Sequence, residues 1–317
     1  MNGHLNNCTG NEFHLLAFSM SAHAQLGIFT LILVIYSITM LGNVLIISLI
    51  CLISHLQTPM YFFLCNLSVQ DIIYISDTLP KFLAITKSRD HGITFLACIT
   101  QMFIFVFCIG TEFLLLTSMA YDRYVAICVP LHYAVIMKKP ICVLFASVSW
   151  LIGFFNALVQ SVMLLYSEYC SFHDIDHFYC DLKSVIKLAS SDTTSLQTYM
   201  LMTTYVLGIV PFFFILASYI CIISTITKMH SSGVKVKAFS SCSSHLIVVL
   251  LFCVPLFGSY TIPQSEHSQP QDKMLSLLYT ALVPLLNPLV YTLRNKDILR
   301  AIRHLKKIFG TKSPTLN

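Results

Sequence analysis

Seven long apolar segments constrain the fold of this chain more than any other feature. Of its 317 residues, 56% are hydrophobic and only 10% are charged, whereas soluble domains usually carry about 25% charged residues. A helix needs roughly 20 mainly apolar residues to cross a bilayer, and each segment reaches that length. The sequence therefore predicts an all-α membrane protein built as a seven-transmembrane helix bundle. In chain order, segments 1 to 7 are residues 24–51, 59–80, 95–128, 141–165, 196–227, 239–260 and 274–293.

Basic residues predict the orientation of the bundle, because short cytoplasmic loops collect Lys and Arg. The first 23 residues contain neither, whereas the residues after segment 7 contain several of both. The N-terminus is therefore predicted to be extracellular and the C-terminus cytoplasmic, in a multi-pass protein of the plasma membrane. The loops agree overall, although Lys81, Lys87 and Arg89 oppose the trend.

The chain divides by composition into three parts: an extracellular tail (1–23), the seven-transmembrane domain (24–293) and a cytoplasmic tail (294–317). In the last part Ile298, Ile302 and Leu305 recur at helical spacing, with Lys306 and Lys307 close by. This pattern predicts a short amphipathic eighth helix that binds the lipids of the anionic inner leaflet.

The extracellular tail offers one predicted modification site. Asn7-Cys8-Thr9 is an acceptor for N-glycosylation, whereas Asn66-Leu67-Ser68 lies inside the bilayer, out of reach of the enzyme. No cleavable signal peptide is expected, because the first apolar stretch has the length of a span and lacks a basic region before it.

Segment 3 ends in MAYDRYVAIC, which is followed by PLHY. A charged pair at the bilayer edge is costly unless it has a function, and Asp122 can hold Arg123 in a reversible ion pair. Further motifs are LQTPMYFFLCNLS at 56–68, KAFSSCSSH in segment 6 and PLLNPLVYTLRNKD in segment 7. With these motifs the chain resembles the olfactory (odorant) receptors, a branch of the rhodopsin-like G-protein-coupled receptors, over nearly its whole length.

The resemblance implies a receptor and not an enzyme. An odorant would bind within the bundle, segment 6 would move outward, and the freed Arg123 surface would engage a stimulatory heterotrimeric G protein of the olfactory type, which activates adenylyl cyclase. Pro288 is expected to bend segment 7 so that its end can swing. The predicted switch residues are Asp122, Arg123, Tyr124, Tyr219, Asn287, Pro288 and Tyr291.

Three cysteines are predicted on the oxidising outer side, where disulfides persist. The resemblance pairs Cys98 with Cys180, which would attach the second outer loop to segment 3. In the family a further loop cysteine usually stands where KLASSDT has Ser190. Cys170 could therefore be free, pair with Cys8 or displace Cys180, and sequence alone leaves these alternatives open.

Asp71, Glu112 and Asn287 are polar residues inside apolar segments. Carboxylates at that depth cost at least a few kcal/mol each. One interpretation is a buried hydrogen-bond network of protonated acids. The other is a sodium ion shared by Asp71 and Glu112, since hard cations take oxygen ligands. The resemblance favours the sodium ion, because the family places acids at both positions.

A ligand site is predicted near the outer third of the bundle, where apolar faces of segments 3, 5, 6 and 7 meet. Its few hydroxyl groups suit a small, weakly polar molecule held by burial of area at about 25 cal/mol per Å². Cys253 stands where the family usually has a tyrosine. The predicted ligand-binding residues are Met102, Phe105, Val106, Ile109, Gly110, Thr203, Leu207, Cys253, Leu256, Phe257, Tyr260, Leu277 and Thr280.

Other classes of protein fit less well. An amine receptor needs an acid where this chain has Phe105, and a light receptor needs a lysine where it has Ala281. The sequence of a transporter or channel should show internal symmetry or a line of polar residues across the membrane, and neither is visible here. An enzyme would need a nucleophile, a base and an orienting group at one exposed site, and the sequence does not indicate such a site.

Overall fold

The computed structural model describes residues 12–18, 21–88, 90–169, 174–261, 269–294 and 298–300. For residues 237, 240, 241, 255–261, 269, 270, 272 and 291–294 it describes the backbone only. Long helices account for most of these ranges. They are α1 (Ala22–Leu52), α2 (Pro59–Ser88), α3 (Phe95–Cys128), α4 (Lys139–Leu165), α5 (Thr194–Lys228), α6 (Ser232–Thr261) and α7 (269–294).

Five of these helices are long and apolar enough to cross a membrane: α1, α3, α4, α5 and, within α7, Lys273–Val290. The helix α2 is equally long but carries Asp71, Asp77, Lys81 and Lys87, and the described apolar stretch of α6 is shorter. Large apolar side chains lie exposed along the bundle. Such a surface suits contact with lipid, in which helices must satisfy their own backbone hydrogen bonds.

Two helix ends differ from the prediction. The predicted end of segment 2 at Pro80 is wrong, because α2 runs through this proline to Ser88. Neighbouring helices and local adjustment make proline tolerable inside membrane helices. The helix α6 begins at Ser232, before the predicted start at residue 239. The predicted start of segment 3 at Phe95 is confirmed, where the Thr94 hydroxyl accepts a hydrogen bond from the backbone N–H of Ala97 at 3.3 Å.

The helices α5 and α7 each contain one π-helical turn, which is wider than an α-helical turn. These turns are Tyr205–Ile209 in α5 and Leu278–Leu282 in α7. Such turns insert one extra residue into an α-helix and are common at functional sites. Neither turn could be predicted from apolar spacing, because a single inserted residue barely changes that spacing.

The helices α3 and α4 cross at a pair of glycines. A Cβ atom added to Gly110 would lie 3.5 Å from the Cα of Gly153, an ordinary contact. A Cβ added to Gly153 would overlap the Thr111 hydroxyl and lie 2.9 Å from the backbone oxygen of Phe107. Gly153 therefore allows the two backbones to approach closely, as small residues do between membrane helices.

A three-stranded sheet covers one end of the bundle. Its strands are β1 (Glu12–Leu15), β2 (Gly92–Thr94) and β3 (Asp174–Ile175), and β1 lies in the middle. It pairs antiparallel with β2 and parallel with β3. Phe13 and Leu15 point inward and are fully buried. The predicted extracellular tail thus contributes a central strand.

The same end of the bundle carries a disulfide between Cys98 and Cys180, with Cα atoms 5.5 Å apart. This is the pair that the resemblance implied. Gln101 supports it, because its Oε1 accepts a hydrogen bond from the backbone N–H of Cys180 at 2.9 Å and its Nε2 donates to the carbonyl of Asp77 at 3.0 Å. Cys170 and Cys8 lie outside the described residues, as does Asn7. We call this end the disulfide end and the opposite one the Arg123 end.

Lys273 joins three separate parts of the chain at the disulfide end. Its ammonium group forms an ion pair with Asp176 next to β3. It also donates to the carbonyl oxygens of Leu16 and Ala17, at 3.0 and 2.8 Å, just after β1. A lysine of α7 therefore holds both the N-terminal strand and the loop that contains the disulfide.

Candidate functional site

A cavity of about 100 Å³ lies between the helices near the disulfide end. Its wall on α3 consists of Phe105, Val106, Ile109, Gly110 and Phe113, which share one helical face through spacings of three and four residues. The rest of the wall comes from α4, α5, α7 and the segment after the disulfide. Those residues are Asn156, Gln160, Asp181, Leu182, Lys183, Met200, Thr203, Thr204, Leu207, Gly208 and Tyr279.

Both π turns border this cavity. Leu207 and Gly208 lie in the turn of α5, and Tyr279 lies in the turn of α7. Gly208 is buried, yet a Cβ atom added to it would meet no described atom within 4 Å. Gly208 itself is part of the cavity lining.

Two aromatic residues of the cavity lining, Phe105 and Tyr279, contact the buried loop residue Tyr179. Tyr179, the residue before the disulfide cysteine, is fully buried and stacks on Phe105 with ring centroids 5.0 Å apart. Its hydroxyl lies 2.7 Å from that of Tyr279, which in turn donates to the Ser276 hydroxyl at 3.2 Å. The disulfide thus places a loop tyrosine deep in the bundle.

Six of the residues predicted to bind ligand line the cavity: Phe105, Val106, Ile109, Gly110, Thr203 and Leu207. Four others lie elsewhere. Met102 is buried in the cluster beneath the sheet, Cys253 packs in the core nearer the Arg123 end, Leu277 packs toward α1 and α2, and the Thr280 hydroxyl donates to the carbonyl of Ser276. The side chains of Leu256, Phe257 and Tyr260 lie outside the described part of the chain.

The prediction left out α4 entirely, although α4 contributes the polar wall of the cavity. Asn156 and Gln160 are four residues apart in an apolar helix, and Gln160 is only 5% exposed. Polar side chains at this spacing share one helix face, and inside a membrane helix such groups generally face the bundle interior. That signal was available in the sequence.

Asp71, Glu112 and Asn287 come together in the middle of the bundle, and all three are buried. The Asn287 amide donates to both carboxylate oxygens of Asp71, at 3.2 and 3.1 Å. Gln70 Nε2 donates to one oxygen of Glu112 at 3.3 Å. The two acids lie close enough for their charges to interact.

The cluster has more acceptor oxygens than donors. Within the described ranges, the second Glu112 oxygen and the side-chain oxygens of Asn43, Gln70 and Asn287 are buried without a hydrogen-bond partner. Orphaned acceptors of this kind are costly, and oxygen atoms are the ligands that hard cations prefer. In these ranges no three His, Cys, Asp or Glu side chains converge. The donor set therefore fits sodium better than a transition metal.

At the Arg123 end, Asp122 and Arg123 form an ion pair. Arg123 Nη2 and Nε donate to the same Asp122 oxygen at 2.6 and 3.0 Å. The other Asp122 oxygen accepts a hydrogen bond from the Tyr133 hydroxyl at 2.7 Å, and the Asp122 side chain is fully buried. Burial, followed by the nearby Asp122 carboxylate, raises the pKa of Tyr133 above its usual value, so this hydroxyl stays protonated and continues to donate.

Tyr219 of α5 connects to α6 and α3 through His245, a residue to which the sequence analysis gave no role. The Tyr219 hydroxyl lies 2.7 Å from His245 Nδ1, and His245 Nε2 donates to the carbonyl of Leu116 at 3.1 Å. All three helices are therefore joined through buried polar atoms one to two turns above Arg123.

The remaining predicted switch residues lie near this network. Tyr124 is half-buried against the core. Pro288 packs against α1, where a Cβ atom added to Gly42 would lie 3.1 Å from the proline ring. The side chain of Tyr291 lies outside the described residues, and so does most of the predicted eighth helix.

A family model described as "Olfactory receptor" matches residues 32–309. Human olfactory receptor 7A17 is 46% identical over 298 residues, which cover 94% of this chain and 96% of that protein. Human olfactory receptor 2T11 is 40% identical over 306 residues, with 96% of each chain covered. The dog olfactory receptor-like protein OLF3 is 43% identical over 295 residues, 92% of this chain and 93% of its own.

Proposed function

We propose, on the premise that this chain belongs to the olfactory receptor family, that it detects a small, mainly apolar odorant in the cavity bordered by α3, α4, α5 and α7. Membership makes it a multi-pass membrane protein and a receptor rather than an enzyme, with odorants and a G protein as partners. The observation that carries the proposal is the cavity itself, because it lies between the helices, is mainly apolar and is bordered by both π turns. The undescribed Leu256, Phe257 and Tyr260 remain proposed contacts from α6.

The receptor is proposed to lie in the plasma membrane. In the proposed orientation the disulfide end is outside the cell and the Arg123 end is in the cytoplasm. Lys and Arg in the C-terminal tail support it, and so does the disulfide, which needs an oxidising compartment. Glycosylation at Asn7 belongs to the same proposal. The tail after α7 is proposed to lie on the lipids of the inner leaflet.

The proposed signal passes from the cavity to the Arg123 end. Ligand binding shifts the packing of α5 and α6, the polar link between Tyr219 and His245 changes, and Arg123 leaves Asp122 to engage the G protein. That partner is proposed to be the stimulatory olfactory type, which activates adenylyl cyclase. Arg123 already lies near Cys242 and His245 of α6, so a shift of α6 changes its surroundings directly.

The test is a panel of small volatile compounds applied to cells that express the full chain, with cAMP as the readout. We expect at least one compound to raise cAMP in the wild type and none to do so in Arg123→Ala at equal surface level. Membrane current is recorded in parallel, because a transporter or channel would carry one. A ligand-dependent current without a change in cAMP would overturn the proposal.

Filling the cavity should weaken every bulky ligand. The first carbon that Gly208→Val adds meets no described atom within 4 Å, and Gly208 lines the cavity, so we expect the fold to persist while the cavity shrinks. We expect the half-maximal concentration for the best ligand to rise by about tenfold or more, since losing about 1.4 kcal/mol of burial is a factor of ten. Gly27→Val, which faces open space on α1, is the matched control. An unchanged dose response in Gly208→Val would place the ligand elsewhere.

Tyr133→Phe should raise basal signalling. The change removes the hydrogen bond to Asp122, and a bond to a charged group is worth about 1.5–3 kcal/mol, so the ion pair that holds Arg123 is weakened. We expect ligand-free cAMP to increase several-fold. Tyr121→Phe, on an exposed part of the same region, controls for loss of a hydroxyl group. Equal basal cAMP in both variants would argue against Tyr133 holding the inactive state.

We propose that Asp71 and Glu112 share a sodium ion, together with the side-chain oxygens of Asn287 and Gln70. The orphaned acceptor atoms support this proposal. When bound, a cation would supply the positive charge that these buried oxygens lack. The two acids and the amides would hold α2, α3 and α7 in one arrangement close to Pro288 of α7.

Glu112→Gln should therefore abolish sodium sensitivity. We expect exchange of sodium for choline at constant ionic strength to change basal cAMP and the melting temperature of the purified wild type, and to change neither in the variant. Glu168→Gln makes the same substitution on an exposed loop and should behave as the wild type. Sodium dependence that persists in Glu112→Gln would leave the hydrogen-bonded acid network as the better interpretation.

A further inference from the structure

The polar wall of the cavity is one pair of side-chain amides on α4. Gln160 and Asn156 both line the cavity, and Gln160 is 95% buried, being 5% exposed. Gln160 Nε2 donates to Asn156 Oδ1 at 3.2 Å and lies 3.5 Å from the Thr203 hydroxyl. That hydroxyl already donates to the carbonyl of Met200 at 3.1 Å, so it can only accept from Gln160.

This pair leaves one acceptor and one donor unused. Within the described ranges, Gln160 Oε1 accepts no hydrogen bond and Asn156 Nδ2 donates none. Both residues line the cavity, so the unused amide groups are available to a molecule bound there. If the oxygen and nitrogen of both amides are exchanged, the pair again keeps one free acceptor and one free donor. The balance is thus independent of how the amides are oriented.

We infer that the receptor selects small alcohols or phenols, an inference that rests on the proposed function. A hydroxyl group both donates and accepts, so it can give its proton to Gln160 Oε1 and accept one from Asn156 Nδ2. A ketone, aldehyde or ester only accepts and leaves the buried Gln160 oxygen without a partner, which costs free energy. A hydrocarbon satisfies neither amide.

Charged groups fit the wall less well. An ionised carboxylic acid or a protonated amine would have to lose its hydration among apolar side chains such as Phe105, Ile109 and Leu207. The charged residues of the lining, Asp181 and Lys183, have opposite signs and so do not favour a ligand of either charge. The cavity of about 100 Å³ is of the same order as the roughly 150 Å³ that holds benzene in an engineered protein cavity, and it leaves no room for a second ring. The carbon skeleton of the ligand is therefore a short chain or a single ring.

The experiment uses the full chain in cells with a cAMP reporter and sets of three compounds that are matched in size and shape. One set is cyclohexanol, cyclohexanone and methylcyclohexane, and linear and aromatic sets of the same size complete the panel. In the wild type we expect the active alcohol to have a half-maximal concentration about tenfold below that of its ketone. The hydrocarbon should be weaker still.

Gln160→Met keeps the length of the side chain but removes the acceptor. We expect the ratio between ketone and alcohol to fall to about one, while the ketone keeps its response through Asn156. Gln160→Leu is the second variant if methionine reduces surface delivery. Ser149→Ala is the control on α4, because the Ser149 hydroxyl donates to the carbonyl of Phe145 and does not line the cavity. Its ratio should remain that of the wild type.

The outcomes separate this inference from the proposed function. A wild type that responds equally to alcohol and ketone, or a preference that survives in Gln160→Met or Gln160→Leu, overturns the inference while the receptor function stands. A receptor that reaches the surface but changes cAMP with no compound of the panel counts against the proposed function itself. A preference lost in the Gln160 variants and kept in Ser149→Ala supports both.

Discussion

Gly153→Val should abolish delivery of the receptor to the cell surface. The new side chain would collide with the Thr111 hydroxyl and with backbone atoms of α3, namely the oxygen of Phe107 at 2.9 Å and the nitrogen of Thr111 at 3.1 Å from the first added carbon. Backbone atoms cannot turn away, so α3 and α4 must separate. Overpacking costs about 1–3 kcal/mol or more, and we expect surface labelling to fall at least tenfold.

Two other glycines provide controls for this result. Gly27→Val adds the same side chain to α1, where no described atom lies within 4 Å, and should leave surface labelling unchanged. Gly110→Ala introduces only an ordinary contact with Gly153 and should be tolerated. Bulkier residues at Gly110 would press against α4, so they cannot serve as simple cavity fillers. Normal surface labelling of Gly153→Val would contradict the close helix crossing.

Cys98→Ser should cause a comparable loss. Removing a native disulfide typically costs about 2–5 kcal/mol, and here it also releases the loop that places Tyr179 beside Phe105. We expect surface labelling to fall about tenfold and the ligand response to disappear. Cys180→Ser should match it, because both variants break the same bond.

Two further cysteines test how specific that loss is. Cys221→Ser, at an exposed free cysteine of α5, should behave as the wild type. Cys170→Ser should be milder than Cys98→Ser, because Ser190 stands where the family usually has the partner of a second bridge. Equal loss in Cys170→Ser and Cys98→Ser would contradict this assignment.

The long helices could be predicted because membrane crossing imposes a length and a composition that each segment must meet. Phe95 was recognised as the start of α3 for that reason, and Thr94 before it caps the helix. The end of segment 2 was predicted wrongly at Pro80. The rule that proline ends a helix is weaker in a membrane bundle, because neighbouring helices can satisfy the backbone group that proline leaves without a hydrogen bond. The eight residues from Lys81 to Ser88 remain helical although two of them are lysines.

The α3 and α5 faces of the cavity could also be predicted, since helical spacing places Phe105, Val106 and Ile109 together. Helical spacing says which residues share a face but not how deep each one lies, and Met102 therefore fell in the cluster beneath the sheet. Tyr179 could not be found this way, because a loop residue has no period. Its position depends on the disulfide, a contact between residues far apart in the sequence.

The α4 wall was missed for a different reason. Gln160 and Asn156 carry a visible polar signal, but the predicted site was built from the apolar faces of segments 3, 5, 6 and 7, and the amides of segment 4 do not belong to an apolar pattern. The short strands could not be predicted from a sequence pattern. The strand β3 has only two residues, and its partners His14 and Leu15 lie far from it in the sequence.

The middle position of β1 has a consequence for the order of synthesis. This strand is made first, yet its partners follow only with residues 92–94 and 174–175, and the carbonyls just behind it are bound by Lys273 of the last helix. In the proposed orientation, a nascent chain that has completed four spans can pair β1 with β2, but in the lumen of the endoplasmic reticulum it still lacks β3 and the lysine that binds the carbonyls behind β1. Release from chaperones there can thus depend on whether the final helix has been inserted, which would let the cell distinguish complete receptors from truncated ones.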